Sequence, residues 1–169
     1  ESINDVRELL VHFRTRTNTD DIEAALQETL QKFQHQTGLP TRLQLDGDGL
    51  PLPADVQVQV LHVVQEALSN VRKHAGASHV SLDVHKGAQW RFVVRDNGTG
   101  FDTAQRHGET HVGTKIMRER AERIGATVLI ESLTGQGTSV TLTLPTNPVT
   151  TVGVGTAGLD FSDSVLNTP

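Results

Sequence analysis

The nonapeptide Val93–Phe101, VVRDNGTGF, joins a β-branched run to a charged residue and then to two glycines two positions apart. Asn-Gly after an alternating run is ordinarily a hairpin signal, because both residues adopt positive φ at little cost. A simple hairpin would enter its second strand at once, whereas here a long polar segment follows. On its own, Asp96 could serve only to start an Asx turn. The alternative is a backbone opened to admit a ligand, with side chains removed at Gly98 and Gly100.

The composition restricts the class of protein. The 169 residues carry a formal net charge of −5, and they suffice for one domain with a substantial core. The acidic balance argues against a surface that coats nucleic acid. The absence of cysteine excludes a disulfide framework and thiolate metal sites. No apolar run approaches the roughly 20 residues of a membrane helix. Because the chain begins without methionine, we expect a fragment of a longer protein.

Hydrophobic periodicity predicts an α/β domain in which helices cover one face of a mixed β-sheet. We expect helices over residues 2–15, 21–37, 54–74 and 113–125. We expect strands over residues 41–46, 78–86, 89–96, 126–133 and 138–145. Gly76 and Gly125 should end the third and fourth helices. β-Branched residues weaken the prediction of helix at the start of the third helix.

Four short motifs stand in a fixed order: EALSNVRKHA (66–75), DNGTGF (96–101), HVGTKIMRERA (111–121) and TGQGTSV (134–140). In this order they resemble the N, G1, G2 and G3 boxes of sensor histidine kinase ATP-binding domains, which share a superfamily with gyrase-type and Hsp90-type ATPases. The resemblance covers roughly residues 50–145. The N-terminal helix and the first and third motifs look most like the subfamily of the nitrate/nitrite and degradative-enzyme sensor kinases. One departure is Thr114, where the family usually has a large apolar residue after the glycine of the lid helix.

The resemblance implies a two-layer ATP-binding fold of the Bergerat (GHKL) type over residues 18–146. It places the end of a dimerisation and phosphotransfer helix at residues 1–17 and a flexible tail at 147–169. It also implies ATP and Mg²⁺ as ligands, and transfer of the γ-phosphoryl group to a histidine. The implied partners are a response regulator and a second copy of the parent kinase, without nucleic acid. The parent would be anchored in the inner membrane, with this domain in the cytoplasm.

The residue types agree with nucleotide chemistry. Asp96 ends a strand, where a carboxylate can accept from the exocyclic amine of adenine, while guanine presents an oxo group there. Gly98 and Gly100 let a flat base approach the backbone. Asn70 offers an amide oxygen to Mg²⁺, which prefers oxygen ligands. Glu66, one turn earlier, could order or polarise a water, or it could pair with Arg72 or Lys73 on the surface; both interpretations stay open.

The remaining candidates surround the phosphates and the base. Lys73 is a candidate phosphate contact or a solvated lysine, and His74 contacts phosphate or caps the helix end. Gly113 is expected at the start of a helix, where free N–H groups attract anions. The glycine-rich turn that contains Gly135 should close the pocket, or it is an ordinary hairpin. We also expect the pocket to involve Gly137, and Thr138 to reach the adenine through water.

Other metal and nucleotide motifs are rejected. His107 and His111 have helical zinc spacing, but Gly108 between them argues against a regular helix. The run DGDG at 46–49 lacks the downstream bidentate glutamate of a calcium loop. A P-loop is absent from the sequence. No histidine is followed by Asp or Glu, and His12 precedes Phe13. The chain should therefore bind Mg-ATP without labelling itself.

Two other functions are considered. A serine-directed protein kinase of the anti-sigma type would share the nucleotide motifs, but it would lack the helix at residues 2–15. A module that senses nucleotide without turnover is a different class of function. Asn70 and Glu66 argue against such a module.

Overall fold

A computed structural model describes residues 21–100 and 109–146. Three α-helices are present there: α1 (Asp21–Thr37), α2 (Ala54–Asn70) and α3 (Glu109–Glu122). A π-helical turn, Val71–Ala75, continues α2. The strands are β1 (Thr41–Gly47), β2 (Val80–Lys86), β3 (Arg91–Asp96), β4 (Thr127–Leu133) and β5 (Gly137–Thr143). The predicted helix at 2–15, His12, His107 and the predicted tail at 147–169 lie outside the described residues.

The five strands form one mixed sheet in the order β1-β2-β3-β5-β4. The pair β1 and β2 is parallel and is joined through α2, whereas the other three neighbouring pairs are antiparallel. A parallel pair needs such a crossover connection, while the antiparallel pairs β2/β3 and β4/β5 need only short turns. The prediction of a mixed sheet with helices is confirmed.

The core lies between the helices and one face of the sheet. On β3, Phe92 and Val94 are buried in the cluster that also contains Val140 and Leu142 of β5. The helical layer contributes the buried side chains of α1, α2 and α3: Ile22, Leu26, Leu30, Val60, Leu61, Val64, Leu68 and Met117. The β-branched start of α2 is helical because burial of this face outweighs the small intrinsic cost of valine in a helix.

Two helix ends agree with the predicted glycine stops. Gly76 has φ +55° after the π-helical turn, and Gly125 has φ +67° after α3. At the end of α3, the N–H of Ala126 donates to the carbonyl of Ala121 at 2.9 Å. Glycine meets little steric resistance in this left-handed region, so it terminates a helix at low cost.

The beginning of α3 corrects one prediction. The helix begins at Glu109, four residues before the expected start at Gly113, so residues 109–112 belong to it rather than to the preceding loop. Gly113 is an interior residue of the helix. Its buried position explains why tertiary packing tolerates a residue that weakens a helix by about 1 kcal/mol relative to alanine.

Candidate functional site

The carboxylate of Asp96 ends the inward-facing series of β3, two residues after the buried Val94. Its Oδ1 accepts from the backbone N–H of Gly98 at 2.8 Å, and the backbone N–H of Thr138 also donates to the carboxyl group. Burial raises the pKa of Asp96 above the ordinary 3.8, and the hydrogen bonds from Gly98 and Thr138 oppose that change. The half-buried carboxylate is thus fixed in place while it retains further acceptor capacity.

Two glycines allow the backbone to close around this strand end. At Gly137, with φ +84°, a Cβ would overlap the carbonyl oxygen of Asp96. At Gly100, with φ +64°, a Cβ would overlap the carbonyl oxygen of Leu133 and lie 3.0 Å from that of Gly137. The N–H of Gly135 donates to the carbonyl of Thr99. The second and fourth motifs therefore pack directly against each other.

Asn97 holds the same loop from the other side. Its Oδ1 accepts from the backbone N–H groups of Ser78 and His79 at 2.9 and 3.1 Å, and its Nδ2 donates to the hydroxyl of Ser78 at 2.7 Å. Sequence reasoning treated Asn97 only as a turn residue. An asparagine next to the pocket carboxylate was the available signal, but its partners, 18 and 19 positions away in the chain, are brought near only by the sheet.

A second group of candidates forms where α2 meets α3. A Cβ on Gly113 would lie 2.8 Å from Oδ1 of Asn70 and 2.9 Å from Oε1 of Glu66. Both oxygens therefore lie close to the same point on α3. The distance between the two oxygens cannot exceed the sum of their distances to that point. The first and third motifs are in contact, with Glu66 and Asn70 directed at the backbone of α3. This geometry brings Glu66 and Asn70 together beside α3 and disfavours a purely surface role for Glu66.

The predicted role of Gly113 changes with the helix start. Only the first N–H groups of an α-helix lack an intrahelical partner, and Gly113 lies beyond the first turn of α3. Its lack of a side chain, rather than a free N–H, is what the structure uses: the backbone of α3 approaches Asn70 and Glu66 closely. The helix start at Glu109 therefore removes the reason given for an anion site at the N–H of Gly113.

The two basic candidates differ in how far the structure describes them. Lys73 is exposed in the π-helical turn, and no contact to the other candidates is seen for it within the described residues. His74 belongs to the same turn, but its side chain lies outside the described part of the structure. The link between this turn and the second motif is Gly76, where a Cβ would reach the methyl group of Thr99 at 4.0 Å.

The oxygen atoms of Asn70 and Glu66 fit the requirements of a magnesium ion. Mg²⁺ takes one or two protein oxygens and completes its shell with water and phosphate oxygens. A site made only of side chains is not needed, and residues 21–100 and 109–146 contain no cluster of three or more His, Asp or Glu that could hold a metal. The donor set matches a metal that the nucleotide brings with it.

Known proteins are similar in sequence to most of this chain. Residues 55–148 match the family of histidine kinase-, DNA gyrase B- and HSP90-like ATPases. The nitrate/nitrite sensor protein NarQ of Escherichia coli is 36% identical over 84% of this chain, which covers 26% of NarQ. The histidine-protein kinase/phosphatase DegS of Brevibacillus brevis is 31% identical over 85% of the chain and 38% of DegS. The sensor histidine kinase LiaS of Bacillus subtilis is 33% identical over 88% of the chain and 41% of LiaS.

Solved structures share the fold. The histidine kinase domain of the blue-light activated histidine kinase of Erythrobacter litoralis superposes with a TM-score of 0.60 at 22% identity, over 74% of this chain and 61% of that one. The histidine kinase AdeS of Acinetobacter baumannii gives 0.61 at 14% identity, over 86% and 77%. The chain spans about a quarter to two fifths of the curated relatives. By its matched residues, its sheet and its four motifs, the chain belongs to the histidine kinase-, DNA gyrase B- and HSP90-like ATPase family.

Proposed function

We propose that this chain is the ATP-binding catalytic domain of a two-component sensor histidine kinase. The observation that carries the proposal is the half-buried carboxylate of Asp96, fixed by two backbone donors at the end of a buried strand. Beside it, Gly100 and Gly137 let the backbones of the second and fourth motifs pack closely against each other at this strand end. A half-buried acceptor held in a fixed orientation suits a purine that carries an exocyclic amine.

In this proposal the base end of the nucleotide is recognised by hydrogen bonding. Asp96 accepts from the adenine amine, and the backbone donors from Gly98 and Thr138 keep the carboxylate oriented. A guanine would set its oxo group against the carboxylate, which leaves both acceptors unpaired. Because unpaired buried polar groups are costly, such a site discriminates strongly between the two bases.

At the phosphate end, Asn70 would be the protein ligand of Mg²⁺, and Glu66 would hold a water of its shell. The ion, when bound, neutralises charge on the phosphates. The chain's own residues supply positioning: α2 presents the two oxygens, and α3 approaches them closely at Gly113. In the transfer itself, a histidine nitrogen forms a bond to the γ-phosphorus as the bond to the bridging oxygen breaks, and ADP leaves. Positioning and charge stabilisation dominate such reactions.

The surrounding organisation is also proposed. We assign residues 18–146 to the catalytic domain, residues 1–17 to the end of a dimerisation helix and residues 147–169 to a tail. The relatives are named as a nitrate/nitrite sensor protein, a signal transduction histidine-protein kinase/phosphatase and a sensor histidine kinase, which supports a response regulator as partner. The proposal also includes a dimeric, membrane-anchored parent with this domain in the cytoplasm. Within the described residues, none of the helices is sufficiently long and apolar to pass through a membrane.

The test is calorimetric titration of the chain with Mg-ATP and with Mg-GTP. We expect binding of Mg-ATP and at least 100-fold weaker binding of Mg-GTP, on the scale of about 10⁴-fold for the best hydrogen-bond selection. The variant Asp96→Asn is titrated in the same way, with Asp83→Asn as its matched control. Asp83 pairs with Arg95 at 2.9 Å. It alternates with buried residues of β2, which places it on the opposite face of the sheet. Equal affinity for the two nucleotides would contradict the role of Asp96.

Kinase activity needs a second measurement. The chain is incubated with γ-labelled Mg-ATP, alone and with a separate fragment that carries the upstream dimerisation helix of the parent. We expect an acid-labile, alkali-stable phosphate only on the added fragment. Label on a serine of a partner protein would favour the anti-sigma type of kinase, and tight binding without transfer to any acceptor would favour a nucleotide sensor.

A further inference from the structure

Three polar side chains form a row across the end of the sheet. The strand register places Asp96 of β3 opposite Thr138 of β5, and Thr138 opposite Ser132 of β4. On all three strands, the residues two and four positions further along the same face are apolar. Ser132 itself is buried, with 9% of its surface exposed. A polar row at this place is therefore continuous with the core on one side and with the proposed adenine site on the other.

The hydroxyl of Ser132 contacts two oxygen atoms of β5. It donates to the carbonyl oxygen of Gly137 at 3.2 Å, and it also lies 2.8 Å from the hydroxyl of Thr138. A carbonyl can only accept, and a serine hydroxyl has a single proton. In the contact with Thr138 either oxygen can be the donor. The arrangement that also keeps the bond to Gly137 has Ser132 accepting from Thr138.

This assignment fixes what Thr138 can offer to a ligand. In this arrangement the hydroxyl of Thr138 donates to Ser132, 2.8 Å away, and its backbone N–H is directed at the carboxyl group of Asp96. Only the lone pairs of the Thr138 hydroxyl remain for the nucleotide side. The strand end thus presents two acceptors, the hydroxyl of Thr138 and the carboxylate of Asp96, and an adenine amine has two N–H groups to match them directly or through a water.

We infer that Ser132 is a positioning residue that sets the hydrogen-bond direction of Thr138, so that the site selects 6-amino purines against 6-oxo purines. The inference rests on the proposed nucleotide function and adds a specificity determinant that does not touch the ligand. Without Ser132, the Thr138 hydroxyl could rotate and donate to a 6-oxo group. Asp96 alone would then carry the discrimination.

The experiment measures the dissociation constants of Mg-ATP and Mg-ITP, since inosine differs from adenosine at the 6-position and its adjoining ring proton alone. We compare Ser132→Val with Ser132→Thr, two side chains of matched shape that suit a strand and differ in the hydroxyl. The Val variant should lower the ratio of the ITP to the ATP constant about tenfold. The Thr variant should keep the ratio within about twofold of the parent chain.

Ser139→Ala serves as the control, because Ser139 is the next residue of β5 and its side chain points to the opposite sheet face. It should leave the ratio unchanged. If Ser132→Val and Ser132→Thr show the same ratio of the ITP to the ATP dissociation constant, the inference is overturned while the proposed function stands. If the unmodified chain binds no ATP, the proposed function fails first and the inference with it. A loss of stability shared by both variants would not move the ratio, so the readout is specific to the hydroxyl.

Discussion

Replacing Gly137 by alanine should destabilise the domain more than the same replacement at Gly135, although both glycines have nearly the same φ, +84° and +83°. The backbone penalty for an L-residue in this region is about 1–2 kcal/mol and applies to both. At Gly135 nothing lies within 4 Å of the new Cβ. At Gly137 the Cβ would overlap the carbonyl oxygen of Asp96 and lie 3.0 Å from its carbonyl carbon and 3.2 Å from Cα of Asn97.

These neighbours are backbone atoms, which cannot rotate away as a flexible side chain can. Overpacking of this kind typically costs about 1–3 kcal/mol. We therefore expect the free energy of unfolding to fall by about 1–2 kcal/mol for Gly135→Ala and by about 2–5 kcal/mol for Gly137→Ala. The difference between the two variants isolates the steric contact, because the φ penalty and the entropy of the unfolded chain are common to both.

Equilibrium unfolding in urea, followed by the fluorescence of the single tryptophan, measures the difference. Trp90 is buried and donates to the carbonyl of Leu50 at 3.1 Å, so its emission should change on unfolding. If the slope of the free energy of unfolding against urea concentration is the same in both variants, the same amount of surface is exposed on unfolding. Equal destabilisation of the two variants would refute the steric argument and the close approach of β5 to the end of β3.

Three further predictions concern the site and its surroundings. Asp96→Asn should weaken Mg-ATP binding about 10- to 150-fold by calorimetry, through loss of a charge-assisted bond; it should not lower the free energy of unfolding without nucleotide, because burial raises the pKa of Asp96 and so makes its charge costly. Asn70→Ala should keep the affinity for metal-free ADP within about threefold, yet remove the increase in affinity that Mg²⁺ gives, because the metal loses a protein ligand. If Mg²⁺ still increased the affinity of the variant, the ligand role of Asn70 would be contradicted. Burial and, to a smaller extent, the charges of Arg120 and Arg123 lower the pKa of His62 below 6.5. The unfolded chain therefore binds the proton first, and the free energy of unfolding should fall as the pH drops below about 6.5. His62→Gln should flatten this dependence in urea titrations at pH 7 and pH 5.5.

The fold was largely readable from the sequence because its elements are strongly periodic. The helix over Asp21–Thr37 agrees with the prediction at both ends, and all five strands lie where alternation placed them. Glycine with positive φ ends the described helices at Gly76 and Gly125. Such signals are local, so each can be recognised without knowledge of the rest of the chain.

The start of α3 was not readable in the same way. The run Glu109–Val112 is polar except for its last residue, and the exposed Val112 gives no apolar periodicity. The first apolar residue that packs inward, Met117, comes later. Sequence reasoning therefore began the helix at the glycine of the motif. Within the helix, Gly113 packs against Glu66 and Asn70 on α2, and an interhelical contact of this kind leaves no mark in a single sequence.

The site follows from where apolar series stop. The inward residues of three adjacent strands are Phe92 and Val94 on β3, Val140 and Leu142 on β5, and Val128 and Ile130 on β4. At the same end of the sheet each series changes to a polar residue, namely Asp96, Thr138 and Ser132. Any one of these changes reads as the end of a strand. Only the register, with β3 and β4 running in the same direction, shows that the three coincide.

The polar row formed by Asp96, Thr138 and Ser132 costs stability compared with apolar residues at the same positions. Apolar residues at these positions would extend the core, whereas burial raises the pKa of Asp96 and shows that its ionised form is disfavoured there. Two backbone donors and a buried serine are needed to keep the row satisfied. Packing alone would not select such an arrangement, since a satisfied polar network at best matches an apolar core. A ligand that completes the remaining hydrogen bonds accounts for it, and in the proposed function that ligand is the adenine of ATP.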